Sequence, residues 1–284
     1  MEIEAPDVDY YNQRWKQARE EASLYSQERD PALWQAFWNQ YAPTYQRISR
    51  ALRASNRMLV KSWQREGIIN SSMEVLDIGC GPGTFTLPLA EIAGKVTGMD
   101  NSKGMLEMLA PEAEKNNINN IILENKDWKE TEGNGKYDLV LAASCPAVNN
   151  LESLEKMNEL AGKYCLYICP ASRKSQDLRH LLWKEIMGER LQGKSFDISY
   201  PFNILYLLGY YPQLSFVQQE YSYREKAVTL VENYRQYFAI FGKQGPKIDE
   251  IIKRRVYRAS PDGFYQENSS SKIAVMWWKV NERD

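Results

Sequence analysis

One run limits the folds open to this chain more than any other: Glu74-Val75-Leu76-Asp77-Ile78-Gly79-Cys80-Gly81-Pro82-Gly83-Thr84. Val75, Leu76 and Ile78 suit a strand buried on both faces. Glycines at alternate positions let the chain turn sharply and lie close to a ligand where a Cβ would collide. From Thr84 onward, Phe85, Leu87, Leu89 and Ala90 read as a helix whose free N–H groups would face that ligand. Strand, glycine turn and helix in this order predict an α/β chain that holds a nucleotide-like molecule at a strand end.

Spacing then separates the possible ligands. The dinucleotide fingerprint is G-x-G-x-x-G, whereas this chain has Asp77-x-Gly79-x-Gly81-x-Gly83. A carboxylate at the strand end repels a pyrophosphate but pairs with an ammonium group, which favours a cofactor with a cationic amino-acid part. On these residues the chain resembles the class I S-adenosylmethionine-dependent methyltransferases, whose first motif is [Asp/Glu]-x-Gly-x-Gly-x-Gly. The resemblance implies a Rossmann-like, doubly wound, mostly parallel seven-stranded sheet with an antiparallel last strand. It implies S-adenosyl-L-methionine as cofactor and S-adenosyl-L-homocysteine as product, with Asp77, Gly79, Cys80, Gly81 and Gly83 at the cofactor.

The rest of the core alternates strand and helix, as a parallel sheet with right-handed crossovers requires. The second strand is Lys95–Met99, ending at Asp100, after a helix stopped by Gly94 as its C′ residue. Ser102 caps the next helix. Strands three to five are Asn120–Glu124, Tyr137–Ala142 and Tyr164–Ile168. Pro170 ends the fifth, and Gly162 stops the helix before it. Helices follow from about Ser172 to Arg190 and from Phe202 to Tyr211, then a long strand from Leu214 to Ala227. Two more helices, Leu230–Phe241 and Pro246–Arg258, precede the Pro261–Gly263 turn and a last strand from Lys272 to Val280. A further turn is read at Asn268–Ser271. The resemblance makes the two late strands the sixth and seventh of the sheet.

Residues 8–67 read as helical. Asp30-Pro31 starts a helix, on which Trp34, Phe37, Trp38 and Tyr41 form one aromatic stripe. Ala42-Pro43 breaks it, and a second helix runs from Thr44 to Arg65 with Gly67 as its stop. The stripe serves equally as core packing and as a lid. The expected organisation is a helical cap over 1–67 and a core over 68–284, with helical insertions at about 171–212 and 227–262.

Asp100 lies 23 positions after Asp77, where a carboxylate accepts from both ribose hydroxyls. The family resemblance adds Asn101 and Met105 beside it. It also gives Asp127 to the adenine amino group and the following backbone N–H to a ring nitrogen, with the Trp128 indole as a stacking face. Ala143 and Ser144, after the fourth strand, would border the reacting methyl group. Tyr45, and next Tyr41, match an aromatic that touches the cofactor in related enzymes. The Asn/Asp-Pro-Pro-aromatic motif of nucleobase and amide methyltransferases is missing; the chain has Ala143-Ser144-Cys145-Pro146-Ala147. Cys145 has no flanking histidine to activate it. The lone histidine, His180, falls opposite the Leu178–Leu181–Leu182–Ile186 face and reads as a surface residue. The Lys253–Arg258 run reads as a solvated helix face near Asp249 and Glu250. No dedicated base can be singled out.

The net charge of −1 disfavours nucleic acid as a partner. No apolar run reaches membrane-spanning length. Met1–Glu4 lacks the features of a signal peptide, and Cys80, Cys145, Cys165 and Cys169 read as buried free thiols without metal-ligand spacing. A cytoplasmic protein is expected. The reading is methyl transfer to a small, partly apolar or aromatic acceptor. The alternatives are a non-catalytic S-adenosylmethionine- or S-adenosylhomocysteine-binding protein, a nucleic-acid or protein methyltransferase, and a nicotinamide oxidoreductase.

Overall fold

A computed structural model describes residues 6–25, 30–133, 136–173, 177–193 and 197–282. Met1–Glu4 and residues 174–176, at the expected start of the Ser172 helix, lie outside them. Two helices, α1 (Val8–Glu20) and α2 (Pro31–Arg65), come first. Then follow β1 (Glu74–Ile78), α3 (Thr86–Ala90), β2 (Lys95–Asp100), α4 (Lys103–Lys115), β3 (Ile121–Asn125), β4 (Tyr137–Ala143), α5 (Leu151–Leu160) and β5 (Ala161–Arg173). The remainder is α6 (Leu178–Met187), α7 (Ser199–Leu207), β6 (Gln213–Lys226), α8 (Ala227–Ala239), α9 (Pro246–Arg258) and β7 (Phe264–Lys279).

The seven strands form one sheet in the order β3-β2-β1-β4-β5-β7-β6. β1 to β5 run parallel, and β7 lies antiparallel between β5 and β6. Strand order reverses between β1 and β4, which opens a crevice at their carboxyl ends. Alternation along the strands fills two layers. Leu76, Ile78 and Val140 pack with Trp15 of α1 and with Leu154 and Met157 of α5. Val75, Leu139 and Leu141 pack with Val60 and Trp63 of α2 and with Phe85 and Leu89. A third cluster above the strand ends joins Phe37 of α2 to Leu182 and Trp183 of α6, Phe238 of α8 and Ile252 of α9.

Several expected boundaries move, each for a physical reason. Pro43 does not break the first long helix; α2 runs through it. Proline removes the bond to the carbonyl four residues back, that of Asn39, and this backbone packs directly on Gly104, where a Cβ would meet it at 2.6 Å. Gly67 does end α2: at φ +77 it donates to Gln64, and Ile68 donates to Trp63, the paired bonds of a left-handed cap. The helix after the glycine turn is short, Thr86–Ala90. Gly94 is therefore not its cap; a Cβ there would meet the Ser71 carbonyl at 2.7 Å. α5 ends at Leu160, before Gly162.

β5 continues through Pro170. The Ile168 carbonyl accepts from Ser144, so the backbone two residues later also faces the β4 side, where β4 has already ended and no N–H is needed. β6 and β7 pair along their whole length, so Asn268–Ser271 is strand, opposite Gln219–Ser222. α6 starts at Leu178 and buries Leu178, Leu182, Trp183 and Ile186, while Leu181 is exposed. α7 lies at Ser199–Leu207, earlier than expected.

Candidate active site

The glycine turn sits at the carboxyl end of β1. Gly79, Gly81 and Gly83 all take positive φ, at +64, +54 and +87, a region that costs L side chains about 1–2 kcal/mol. A Cβ on Gly83 would lie 2.3 Å from Leu109 Cδ1, and one on Gly79 2.7 Å from Cys145 Sγ. The Gly81 Cβ position is 3.5 Å from Tyr45 Cε1 and 4.0 Å from Met105 Sδ. Tyr45 and Met105 thus meet at the turn.

Asp100 fastens this turn from β2. Its Oδ2 accepts from the Gly81 N–H at 2.9 Å and its Oδ1 from the Ser102 N–H at 2.8 Å. Burial pushes its carboxyl up, and those two N–H groups partly offset the rise. Each oxygen keeps a second lone pair for a ligand hydroxyl.

Asp77 is 1% exposed. Its Oδ2 accepts from Thr86 Oγ1 at 2.6 Å, and no cation pairs with it among the described residues. Burial, eased by the Thr86 bond and reinforced by Asp100, pushes its carboxyl up to about 7. A buried carboxylate without a counter-ion destabilises the fold unless a cation is delivered to it.

A cavity of about 80 Å³ opens beside Asp77, lined also by Gly79, Ala143, Ser144, Tyr45, Asn56, Thr84 and Gln219. Ser144 takes φ +52 while donating its N–H to the Ile168 carbonyl at 2.7 Å. A serine held in the left-handed region is uncommon, and such strain gathers at functional sites. A larger surface depression lies at the start of α9, by Gly245 and Lys253, and shares no lining residue with the glycine turn.

α2 closes over the turn through polar contacts. Asn39 Oδ1 accepts from Ser102 Oγ at 2.8 Å and from the Gly104 N–H at 2.9 Å. Gln35 donates to the Asn101 carbonyl and Gln46 to that of Met108. Arg50 and Arg53 both bond the buried Glu112 of α4. Further along, Asn56 donates to the Thr84 carbonyl at 3.2 Å and accepts from Gln219 at 2.9 Å.

The structure brings Asp77, Gly79, Gly81, Gly83, Asp100, Met105, Ala143, Ser144 and Tyr45 together. Asn101 lies at the rim, exposed. The Cys80 side chain turns inward among Leu87, Leu106 and Leu109, leaving only its backbone at the turn. Asp127 caps a short 3-10 turn, accepting from the Lys129 N–H. Trp128 is not a stacking face; its ring is 4% exposed and packs in the sheet core. Tyr41 stacks on Phe37 at 5.2 Å, one turn away from the glycines.

Cys145 is buried, which pushes its thiol up to about 12. His180 is half-buried, its Nδ1 2.5 Å from Asp177 Oδ1. Arg254 and Arg255 both pair with Glu185, so the basic run of α9 is partly spent. Sequence reasoning missed Thr86, Asn56, Asn39 and Gln219. A signal existed for Thr86, a lone hydroxyl in the apolar run Phe85–Ala90, and for Asn39, inside the Phe37–Tyr45 segment. Gln219 is brought in only by the long β6–β7 pairing.

Residues 75–161 match the sequence profile of a family described as "Methyltransferase domain". A protein of Haemophilus influenzae named only as uncharacterized is 26% identical over 227 residues, which cover 75% of this chain and 78% of that one. The 23S rRNA (uracil(1939)-C(5))-methyltransferase RlmD of Vesicomyosocius okutanii is 42% identical over 59 residues, only 21% of this chain and 13% of that enzyme. Among solved structures, one provisionally assigned as a type II methyltransferase of Anaeromyxobacter dehalogenans superposes with a TM-score of 0.51. Its identity is 13%, over 79% of this chain and 96% of that one, a likeness of fold.

Proposed function

From a chain whose core is that of the class I S-adenosylmethionine-dependent methyltransferases, we propose an enzyme that methylates a small-molecule acceptor. Asp77 carries this reading: a buried carboxylate that pairs with no cation among the described residues, facing the cavity at the glycine turn. It fits the ammonium of a methionyl group and opposes the pyrophosphate of a dinucleotide. When bound, S-adenosyl-L-methionine supplies an electrophilic methyl group on a sulfonium, transferred by in-line displacement.

The chain's own residues bind and align. Asp77 takes the ammonium, and the backbone of Gly79 to Gly83 lies along the methionyl part. Asp100 accepts from the ribose hydroxyls, and Asp127 with the Trp128 backbone N–H marks the adenine end. Tyr45 and Met105 close over the turn. Ser144 and Ala143, at the end of β4, border the methyl group. Alignment and exclusion of water together supply up to about 7–11 kcal/mol. We assign the cap to α1 and α2 with α6 to α9, over a core of β1 to β7.

An RNA acceptor gains support only from short matches to much longer enzymes, and two residues of the strongest basic run, Arg254 and Arg255, are paired with Glu185. A small acceptor fits the aromatic cap better. The test is calorimetric titration with S-adenosyl-L-methionine, S-adenosyl-L-homocysteine and NAD, using protein freed of carried-over ligand. Micromolar binding of both adenosyl ligands supports the reading, and NAD binding in their place overturns it. An acceptor screen with labelled methyl groups then separates an enzyme from a binding protein.

A further inference from the structure

The cavity beside Asp77 holds polar groups that an ammonium does not use. Thr84, Asn56 and Gln219 line it, and no lysine or arginine does so among the described residues. Asn56 of α2 is wholly buried, and Gln219 of β6 nearly so. Gln219 reaches the cavity from the last strand of the sheet, with β4, β5 and β7 between β6 and β1. Thr84, at the end of the glycine turn, has its hydroxyl oxygen enclosed and without a hydrogen-bond partner among the described residues.

Hydrogen-bond chemistry fixes which way each amide faces. The Thr84 carbonyl can only accept, so the Asn56 atom 3.2 Å from it is the amide nitrogen. Asn56 Oδ1 then points the other way and needs a donor, which Gln219 Nε2 supplies at 2.9 Å. Turning either amide over sets oxygen against oxygen. The Asn56 nitrogen therefore keeps a second hydrogen, and the Thr84 hydroxyl its only one. Leu52, Phe85, Ile168 and Ile273 give the cavity apolar walls, beside which donors left unmet are costly.

We infer that this cavity takes the whole amino-acid head of the cofactor: Asn56 and Thr84 Oγ1 bind its carboxylate, and Gln219 is a positioning residue that holds the Asn56 amide toward it. This rests on the methyltransferase reading above and deepens it. Asp77 repels a bare acid, and the two waiting donors penalise a bare amine. A zwitterion satisfies both, so the site selects an α-amino acid over either half of one. Neutral donors suit the task, because a lysine or arginine here would pair with Asp77 and take the place of the ammonium.

The test is calorimetry with S-adenosyl-L-homocysteine and its trimmed analogues. The 3-aminopropyl thioether of 5′-deoxyadenosine lacks only the carboxylate, the 3-carboxypropyl thioether lacks only the ammonium, and 5′-methylthioadenosine lacks both. S-adenosyl-L-homocysteine should bind about ten-fold or more tightly than either half-headed analogue. Asn56→Leu and Thr84→Val should each cut its lead over the aminopropyl analogue by about three-fold or more, and so should Gln219→Leu, which frees the Asn56 amide to turn. Affinity for 5′-methylthioadenosine should stay at the wild-type value in all three, which a merely structural loss would not allow. Thr84→Val removes a hydroxyl with no partner to lose, so it should melt no lower and keeps the test decisive if Asn56→Leu does not fold. A smaller lead in the wild type, or a smaller cut by Thr84→Val or by folded Asn56→Leu, overturns the inference, and an undiminished lead in Gln219→Leu overturns the positioning role. If the wild type binds none of these adenosyl ligands, the methyltransferase reading itself falls.

Discussion

Replacing Asp77 by asparagine should make the ligand-free protein more stable and a poorer binder, by amounts that depend on pH. The carboxyl titrates near 7 in the folded chain against 3.8 ordinarily. Its pKa is raised on folding, so its contribution is most favourable below 3.8 and is lost as pH rises through about 7. At 1.36 kcal/mol per pH unit, its ionisation costs the fold about 4 kcal/mol at pH 8 and about 2 at pH 5. Asparagine keeps the shape, and Thr86 Oγ1 can turn to accept from the new amide. Urea unfolding of both proteins at the two pH values cancels every other titrating group. The stability advantage of Asp77→Asn should be about 2 kcal/mol larger at pH 8 than at pH 5. Since an ammonium ligand needs the ionised form, wild-type affinity for S-adenosyl-L-homocysteine should rise about ten-fold from pH 6 to pH 8, and the variant should show no such rise. An equal stability difference at both pH values would mean that Asp77 is already ionised and paired, and the argument from an unmet buried charge would be wrong.

Asp100→Ala removes the acceptor for the Gly81 and Ser102 N–H groups as well as for a ribose. Calorimetry should show S-adenosyl-L-homocysteine binding weakened by about 100-fold or more, from charge-assisted bonds worth about 1.5–3 kcal/mol each. Gly83→Ala forces a Cβ to 2.3 Å from Leu109 at φ +87 and should cost about 2–4 kcal/mol in chemical denaturation. Glu112→Gln should cost about 1–3 kcal/mol near pH 7. Burial opposes ionisation of Glu112, but Arg50 and Arg53 outweigh it and hold the carboxyl below its ordinary 4.5. That stability is therefore present above 4.5 and disappears as pH falls further, so acid unfolding curves of variant and wild type should converge. Cys145 should resist iodoacetamide at pH 7.5 in the folded protein, and Cys145→Ser should retain cofactor binding. Fast alkylation would refute its burial against Gly79.

Much of this was legible because it is local. An aspartate and three alternating glycines fix the turn, its position at a strand end and the second aspartate on the next strand, since each follows from backbone geometry within a few residues. Boundaries were less legible where a tertiary contact outvotes a local signal. Pro43 reads as a break, yet α2 continues because α4 grips it on both sides of the proline, through Asn39 before it and Gln46, Arg50 and Arg53 after it. Pro170 reads as a stop, yet the side it faces has no strand left to serve. Trp128 reads as a face for a ring ligand, but a large apolar side chain at the edge of an unfilled core is drawn inside. Asn56 and Gln219 come from distant parts of the chain, and nothing near them in sequence marks their meeting.

The unbroken course of α2 has a consequence for how the two halves of the site communicate. At 1.5 Å per residue its 35 residues form a rod about 50 Å long. The same stretch of the rod serves both: Gln35 and Asn39 bond the segment after Asp100, while Phe37 and Tyr41 are embedded in the aromatic cap. A ligand that settles the rod on either side lowers the ordering cost left for the other, and the coupling is the same in both directions. If the chain is the methyltransferase proposed above, cofactor and acceptor would be heterotropic partners, with exchange of spent cofactor tied to departure of the methylated product.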